Sequence, residues 1–222
     1  MMQVSQRSVE YLLSELHCAL LAADISLSVE AESLLINYLL LVDKWNKTYN
    51  LTAVRSLTAM ISQHLVDSLV IMPMVEQYCA HGGAVLDAGC GAGLPGIPLA
   101  VAMPSLSVCL VDSNAKKVAF VRQAIIELRL ANARATSARL EKWQPPEPFS
   151  LIVSRALTSL DKTVQLTSHL LAPGGFWLAM KGRCPQDEIA LLPSEVKLRN
   201  MVLLNVPGVE GERHLLIVEK TY

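Results

Sequence analysis

The chain has 222 residues, 52% of them hydrophobic and 18% charged, with a formal charge of −1. That length holds one domain of about 150 residues plus a surplus of roughly 70, and the composition excludes a disordered or low-complexity chain. Apolar runs such as LLINYLLLV at 34–42 fall short of the ~18 residues of a membrane span, Glu10 and Glu15 break any signal-peptide core, and five scattered cysteines without a CxxC fit a reducing cytoplasm, not a disulfide framework or a metal site.

The first 80 residues read as helices. A weak helical period runs through 9–21. Leu34, Tyr38, Leu41 and Trp45 then recur at i, i+4, i+7 and i+11, flanked by Leu35, Leu39 and Val42, which gives a wide apolar face. A polar, turn-rich break at 46–56 precedes a third helix over 60–75, interrupted at Pro73. His64 and Asp67 fall three apart on it and so share a face. A hydrogen bond on the helix surface is the expected relation, with an acid/base pair as the alternative.

After His81, Gly82 and Gly83 short β-type runs alternate with helical stretches. The strands are expected at 84–89, 106–112, 132–137, 149–155 and 175–181, with helices at 95–103, 114–130, 160–172 and near 186–192. Such alternation implies a mostly parallel sheet covered on both faces. The last two runs, 196–206 and 213–220, are joined by a turn-rich PGVEGE without a helix, so they form an antiparallel end. The expected fold is therefore α/β, a Rossmann-like, seven-stranded sheet over 81–222, with a helical extension over 1–80 packed into one compact unit.

Charge follows the same division. Residues 1–80 hold four Lys/Arg against eight Asp/Glu, whereas 113–139 hold six basic residues against Glu127 alone. A total near zero would argue against a nucleic-acid partner, but here it averages an acidic front with a basic middle.

The most informative stretch is VLDAGCGAGLPG at 85–96. An apolar strand runs into closely spaced glycines, and Pro95 sits where a helix would begin. In a doubly wound sheet the carboxyl end of the first strand is a ligand site. Gly91 to Gly96 also spell a literal G-x-G-x-x-G, with Asp112 lying 21 residues beyond Gly91, which fits a dinucleotide. Asp87 completes D-x-G-x-G-x-G, the pattern shared by class I methyltransferases that use S-adenosylmethionine. A carboxylate there suits a cationic amino group and sulfonium and ill suits a pyrophosphate. Asp112, ending the second strand, is placed for a ribose diol in either reading. The bland alternative is a glycine turn with Asp87 capping the helix.

Other residues are weighed one by one. Lys116 and Lys117 oppose the dipole of the helix they begin, by about 0.3–1 kcal/mol each, so they are either phosphate contacts or solvated lysines. Arg122 and Arg129 read as solvated surface. Arg139, Arg155 and Lys181 follow or end successive strands, which sets a row of cations on the ligand edge. Arg213 and His214 read as rim residues, Cys90 as a small residue and not a nucleophile, and Trp45, Trp143 and Trp177 as packing.

Together these segments resemble the RsmG (GidB) family of 16S ribosomal RNA guanine-N7 methyltransferases over residues 30–220. The resemblance rests on WNKTYNLTAVR (45–55), HLVDSL (64–69), LDAGCGAGLPGIPLA (86–100), LVDSNAKKVAFVRQ (110–123), VSRA (153–156), MKG (180–182), DEIALLP (187–193) and GERHLLIV (211–218). It implies a class I methyltransferase sheet with a helical N-terminal portion. S-adenosylmethionine would lie on Gly89 and Leu94, with Asp112 and Ser113 at its ribose, Leu140 and Glu141 at its adenine, and Arg155 as a cofactor-site arginine; Asp87 and Gly91 join this set through the loop motif. Lys116, Lys117, Arg139, Lys181 and Arg213 match basic positions for gripping RNA. Cys90 departs mildly from the Thr or Ser common in the family, and residues 1–29 match poorly.

The resemblance also implies a target, a guanine in the decoding-region loop of the small ribosomal subunit; a monomer without a metal is expected. Guanine N7 has a free lone pair and no proton, so in-line displacement at the sulfonium methyl needs no general base. Orientation then carries the rate, worth up to about 7–11 kcal/mol in well-held systems. A-form RNA hides N7 in its deep groove, which favours a loop as the target. Two rivals remain at this point: a nicotinamide-dependent oxidoreductase, and a non-catalytic RNA or ribosome-binding module on the same fold.

Overall fold

The computed structural model describes residues 6–79 and 83–221, so the expected boundary at 80/81 lies outside the described residues. Helix α1 (Gln6–Ala22) buries Leu12, Leu16 and Leu20 along one stripe. Helix α2 (Val29–Tyr49) starts at Ser28, whose hydroxyl accepts from the Ala31 N–H, and carries Glu30 and Glu32 in its first turn, where carboxylates favour the dipole. It stops at Asn50, which takes the left-handed conformation (φ 49°) common at a helix end.

The third helical run is not uniform. α3 (Leu57–Met60) opens it, Ile61–Val66 is a π-helical turn, and α4 (Asp67–Leu69) closes it. α5 (Met72–Tyr78) restarts with Pro73 in its first turn, where a missing N–H costs little. By length and hydropathy the stretch Leu57–Tyr78 could cross a bilayer, although no single apolar run in the sequence does. Its Met60, Ile61, Leu65, Val66, Leu69 and Val75 are instead buried in the protein's own core.

One seven-stranded sheet follows, in the order β3-β2-β1-β4-β5-β7-β6. β1 (Ala84–Ala88), β2 (Ser107–Asp112), β3 (Ala133–Ser137), β4 (Phe149–Arg155) and β5 (Leu171–Lys181) run parallel; β7 (His214–Lys220) is antiparallel to β5, and β6 (Val196–Leu203) to β7. Helices α6 (Gly96–Ala102), α7 (Ala115–Glu127), α8 (Leu160–Thr167) and α9 (Gln186–Ala190) connect them. The strand order turns back between β1 and β4, so the cleft of a doubly wound sheet opens there.

The central strands alternate between two cores, which explains their unbroken apolar runs. Val85, Val108, Leu110, Leu151 and Val153 face the core shared with α1, α2 and the third helical run. Leu86, Cys109, Val111, Ile152 and Trp177 face the opposite core, with Phe149, Leu160 and Val164. Trp177 donates its indole N–H to Thr167 Oγ1 at 2.8 Å, and Trp45 and Trp143 pack against Phe120 and Phe149, as packing tryptophans should.

Several boundaries differ from expectation; the run expected over 196–206, for one, ends as a strand at Leu203. The helix expected over 160–172 ends at Thr167, and β5 begins at Leu171, because Leu171 already pairs with Phe149 and the Pro173-Gly174-Gly175 break is absorbed within the strand. α7 stops at Glu127, and Arg129 sits beyond it at φ 55° instead of on a helix flank.

Tyr38 joins the helical layer to the glycine loop. It is fully buried and donates its hydroxyl to the Ala92 carbonyl at 2.6 Å. Tyr38→Phe keeps the ring and deprives a buried carbonyl of this donor, so the unfolding free energy should fall by about 1–3 kcal/mol, measured by urea denaturation with an unchanged slope.

Candidate functional site

The glycine loop spends its backbone donors on the protein itself. Gly89 and Cys90 donate to the Val111 carbonyl at 2.8 and 3.0 Å, and Gly93 and Leu94 to the Cys90 carbonyl at 2.7 and 3.0 Å. Gly91 donates to Asp112 Oδ2 at 3.0 Å, and Gly96 to Asp87 Oδ2 at 2.8 Å. A pyrophosphate needs a row of free N–H groups at a helix start. Here most of those groups are taken by the protein itself. The G-x-G-x-x-G spacing therefore loses its physical basis as a dinucleotide signal.

Asp87 is fully buried beneath the loop and lines none of the cavities above it. Its Oδ1 is buried without a partner. Burial pushes its pKa up to about 7, opposed by the Gly96 N–H and by Arg155, with Asp112 adding a smaller upward push. Burial likewise pushes the Cys90 thiol up, with Asp87 and Asp112 adding to it, so the group stays protonated and is no nucleophile.

Three cavities form one trough along the carboxyl edge of the sheet. The first, about 310 Å³, has Gly89, Asp112, Ser113, Leu140 and Glu141 on its walls, with Lys117 and Arg139 beside them. The middle one, about 180 Å³, brings together Thr52, Gly89, Gly91, Leu94, Lys117 and Arg155. The last, about 400 Å³, has His64, Asp67, Arg155, Lys181, Arg213 and His214. Ala156 lines all three. It holds φ 53°, a strained value for a residue with a side chain, and such strain clusters at functional sites. Lys116, exposed in the first turn of α7, lines none of the three.

The first cavity has the chemistry of a nucleoside site. Asp112 is fixed by two backbone donors, Gly91 to Oδ2 and Asn114 to Oδ1 at 2.7 Å, and each oxygen keeps a lone pair for a hydroxyl. A Cβ at Gly91 would meet only the Gly89 carbonyl oxygen, at 4.0 Å, so there is room over the loop backbone there. Gly89 holds φ 71°, and a Cβ there would also run into the Leu157 side chain, so any residue but glycine is strained there.

The cation row is largely tied down. Arg155 donates through Nη1 to Asp67 Oδ2 at 2.8 Å and to the Gln63 carbonyl at 3.0 Å. Arg213 donates through Nε to Asp67 Oδ1 at 3.1 Å. Lys181 is bound to Glu188 and to the Thr158 carbonyl, both at 2.7 Å. Arg139 is exposed, with Glu141 at 3.7 Å. Arg122 donates to the Ala135 carbonyl and so braces α7 against β3.

The expected surface hydrogen bond between His64 and Asp67 does not form. Both side chains are buried, and the π turn carries them to different partners: His64 Nε2 meets Thr52 Oγ1 at 2.9 Å, while Asp67 turns to the arginines. Burial lowers the His64 pKa, which keeps its ring neutral. Thr52, Gln63 and Ala156 line the trough without having been expected there, and His214, expected on the rim, is buried in its wall. The only hint was their position in or beside NLTAVR, HLVDSL, VSRA and GERH.

The family described as "GidB: rRNA small subunit methyltransferase G" matches residues 31–216. Relatives with the name ribosomal RNA small subunit methyltransferase G include those of Laribacter hongkongensis, 46% identical over 91% of this chain and 95% of the relative, and Chromobacterium violaceum, 45% identical over 91% and 95%. Among solved structures, the fold is similar to TrmN from Thermus thermophilus (TM-score 0.56, 20% identity, 72% of this chain and 53% of that one). It is also similar to the N-methyltransferase NodS from Bradyrhizobium japonicum (TM-score 0.54, 14% identity, 70% and 94%).

The Asp87 carboxyl makes stability depend on pH with a definite sign. Its folded pKa of about 7 lies above the ordinary 3.8, so between those values the folded state binds the extra proton. This contribution is present at low pH and is lost as pH rises through 7, at up to about 1.4 kcal/mol per unit. Unfolding free energies of wild type and Asp87→Asn at pH 5 and pH 8 should shift in favour of the substituted protein at pH 8, by about 1–3 kcal/mol.

Proposed function

The chain belongs to the rRNA small subunit methyltransferase G family, and from that premise we propose that it methylates N7 of a guanosine in the decoding-region (530) loop of 16S rRNA. S-adenosylmethionine is the methyl donor. We propose that the chain works in the cytoplasm as a monomer, on the small subunit or its rRNA. The observation that carries the reading is the trough itself, a nucleoside-shaped end joined through one strained residue, Ala156, to a second, cation-lined cleft.

The residues present fit the cofactor. The paired lone pairs of Asp112 suit a ribose diol, with Ser113 beside it, and Leu140 and Glu141 frame an adenine. Gly89, Gly91 and Leu94 offer close backbone to the amino-acid end, and Arg155 offers its guanidinium to the carboxylate there. Asp87 acts from beneath, by holding the loop through the Gly96 N–H. When bound, the cofactor supplies an electrophilic methyl on sulfur.

The chain's own task is orientation. N7 carries a lone pair and no proton, so no side chain has to remove one, and the buried thiol of Cys90 stays out of the chemistry. Lys116, Lys117 and Arg139 carry positive charge on the outer rim beside the nucleoside end, and Lys181 and Arg213 carry it at the far end. A polyanionic strand laid along this edge would meet cations at both ends.

Two measurements test the reading. Calorimetry should give binding of S-adenosylmethionine and none of NAD, and Asp112→Ala should weaken the former about 10- to 150-fold, the range for hydrogen bonds to a charged group. Labelled methyl transfer to small subunits lacking the modification, with mass mapping of the rRNA, should place the label on one guanosine as a 7-methyl group. Cofactor binding without any transfer would instead favour a non-catalytic RNA-binding module, and NAD binding alone would favour an oxidoreductase.

A further inference from the structure

The segment that joins β4 to α8 supplies part of the cofactor's surroundings. Ala156 lines all three cavities at φ 53°. Leu157 lines the first cavity, and its side chain lies over the Gly89 backbone. Leu166, on α8, lines the same cavity. The placing of this segment and of α8 therefore decides the shape of the nucleoside end.

A helix commonly begins on a side chain that caps its free N–H groups. Ser159 precedes α8 but makes no capping bond. The cap comes from elsewhere in the chain. Glu188, on α9, accepts the Leu160 N–H at 2.6 Å and the Lys181 ammonium at 2.7 Å, both on Oε2. Lys181, at the end of β5, also donates to the Thr158 carbonyl at 2.7 Å. One carboxylate oxygen and one ammonium thus pin the backbone on both sides of Ser159. With 16% of the Lys181 side chain and 30% of the Glu188 side chain exposed, water and salt screen the pair only in part.

The helix that carries this cap is slight. α9 has five residues and none of them is buried, although Ile189 and Leu192 pack partly against the core behind it. Among the described residues, the bonds of Glu188 are the only hydrogen bonds from α9 side chains to the rest of the chain. A segment holding a strained residue persists in its form only where its surroundings over-determine it. If part of the population lets go, the affinity for a ligand falls in proportion to the fraction that keeps the binding form, whereas a bound complex is already in that form. A residue that sets this fraction acts on binding and leaves turnover alone.

Resting on the methyltransferase reading, we propose that Glu188 is a positioning residue for S-adenosylmethionine: standing outside the cavities, it caps α8 and, with Lys181, holds residues 156–160 in the form that receives the cofactor. The connection between β5 and β6 is thereby a strap on the cofactor site and more than a link between strands.

The test is calorimetry of the full chain with S-adenosylmethionine, beside steady-state methyl transfer to small subunits lacking the modification. Glu188→Ala should weaken cofactor binding about tenfold, the order set by losing a hydrogen bond to a charged group, and should raise the KM for the cofactor in step. Its kcat at saturation should stay within about twofold of wild type, because the bound form is unchanged. Glu188→Gln keeps an oxygen for the Leu160 N–H and should recover most of the affinity. Asp187→Ala, on the same helix but without such a bond, should bind as wild type does. A Glu188→Ala chain with wild-type affinity overturns the proposal. So does one whose kcat falls along with its affinity, since the residue would then act on the chemistry or on the whole fold. A wild-type chain that binds no S-adenosylmethionine overturns the methyltransferase reading itself, and that failure is told apart because it lies in the unsubstituted protein.

Discussion

The Asp67 carboxylate, 5% exposed, accepts one hydrogen bond on each oxygen, from the guanidinium groups of Arg155 at the end of β4 and Arg213 just before β7. Placed there alone it would be expensive, because a buried ion loses its hydration. Held between two arginines it becomes a fixed point where the helical front, the end of β4 and the start of β7 meet. Ion pairs of this kind add little net stability compared with apolar packing, but they set direction strictly. The trough inherits that strictness: the same arginine that reaches toward the glycine loop is held from behind by the helical layer.

Asp87 solves a related problem with the opposite outcome. It too is a buried carboxylate, but it meets a single backbone N–H and no cation within bonding distance, so burial dominates and the charged form is disfavoured. The two acids therefore divide their work. Asp67 lies between two guanidinium groups, and it orients side chains. Asp87 sits near the balance between its two forms, and it holds backbone. A third acid, Asp112, lies at the surface of the cleft and keeps lone pairs for a ligand. Position relative to charge and solvent separates three residues that look alike in the sequence.

Much of the fold was legible because its signals are local. Alternating apolar runs and helical stretches marked all seven strands of the sheet, and the PGVEGE turn marked its antiparallel end. The glycine loop and Asp112 were legible for the same reason, since their spacing is fixed by a strand-to-helix turn. What could not be read were relations between distant segments. Nothing near Asp67 announces Arg213, which lies 146 residues away. The π turn was equally hidden, because ISQHLV has an ordinary helical pattern and its widening reflects tertiary contacts. The loop acid at Asp87 was seen, but its depth beneath the loop, which decides that it binds backbone, depends on α6 and Leu110 closing over it.

A π turn is an α-helix that has accepted one extra residue, and it is kept only where the surplus serves some purpose. Ile61–Val66 sits between the Ser56 cap and Asp67, so it sets the angle at which everything after it leaves the helix. Each residue of an α-helix turns the chain by about 100°. Removing a single residue from this turn would let the run relax to regular α geometry and swing Asp67 by roughly that angle, away from both arginines. The number of residues here is thus as much a part of the site as their identity: length itself acts as a structural variable.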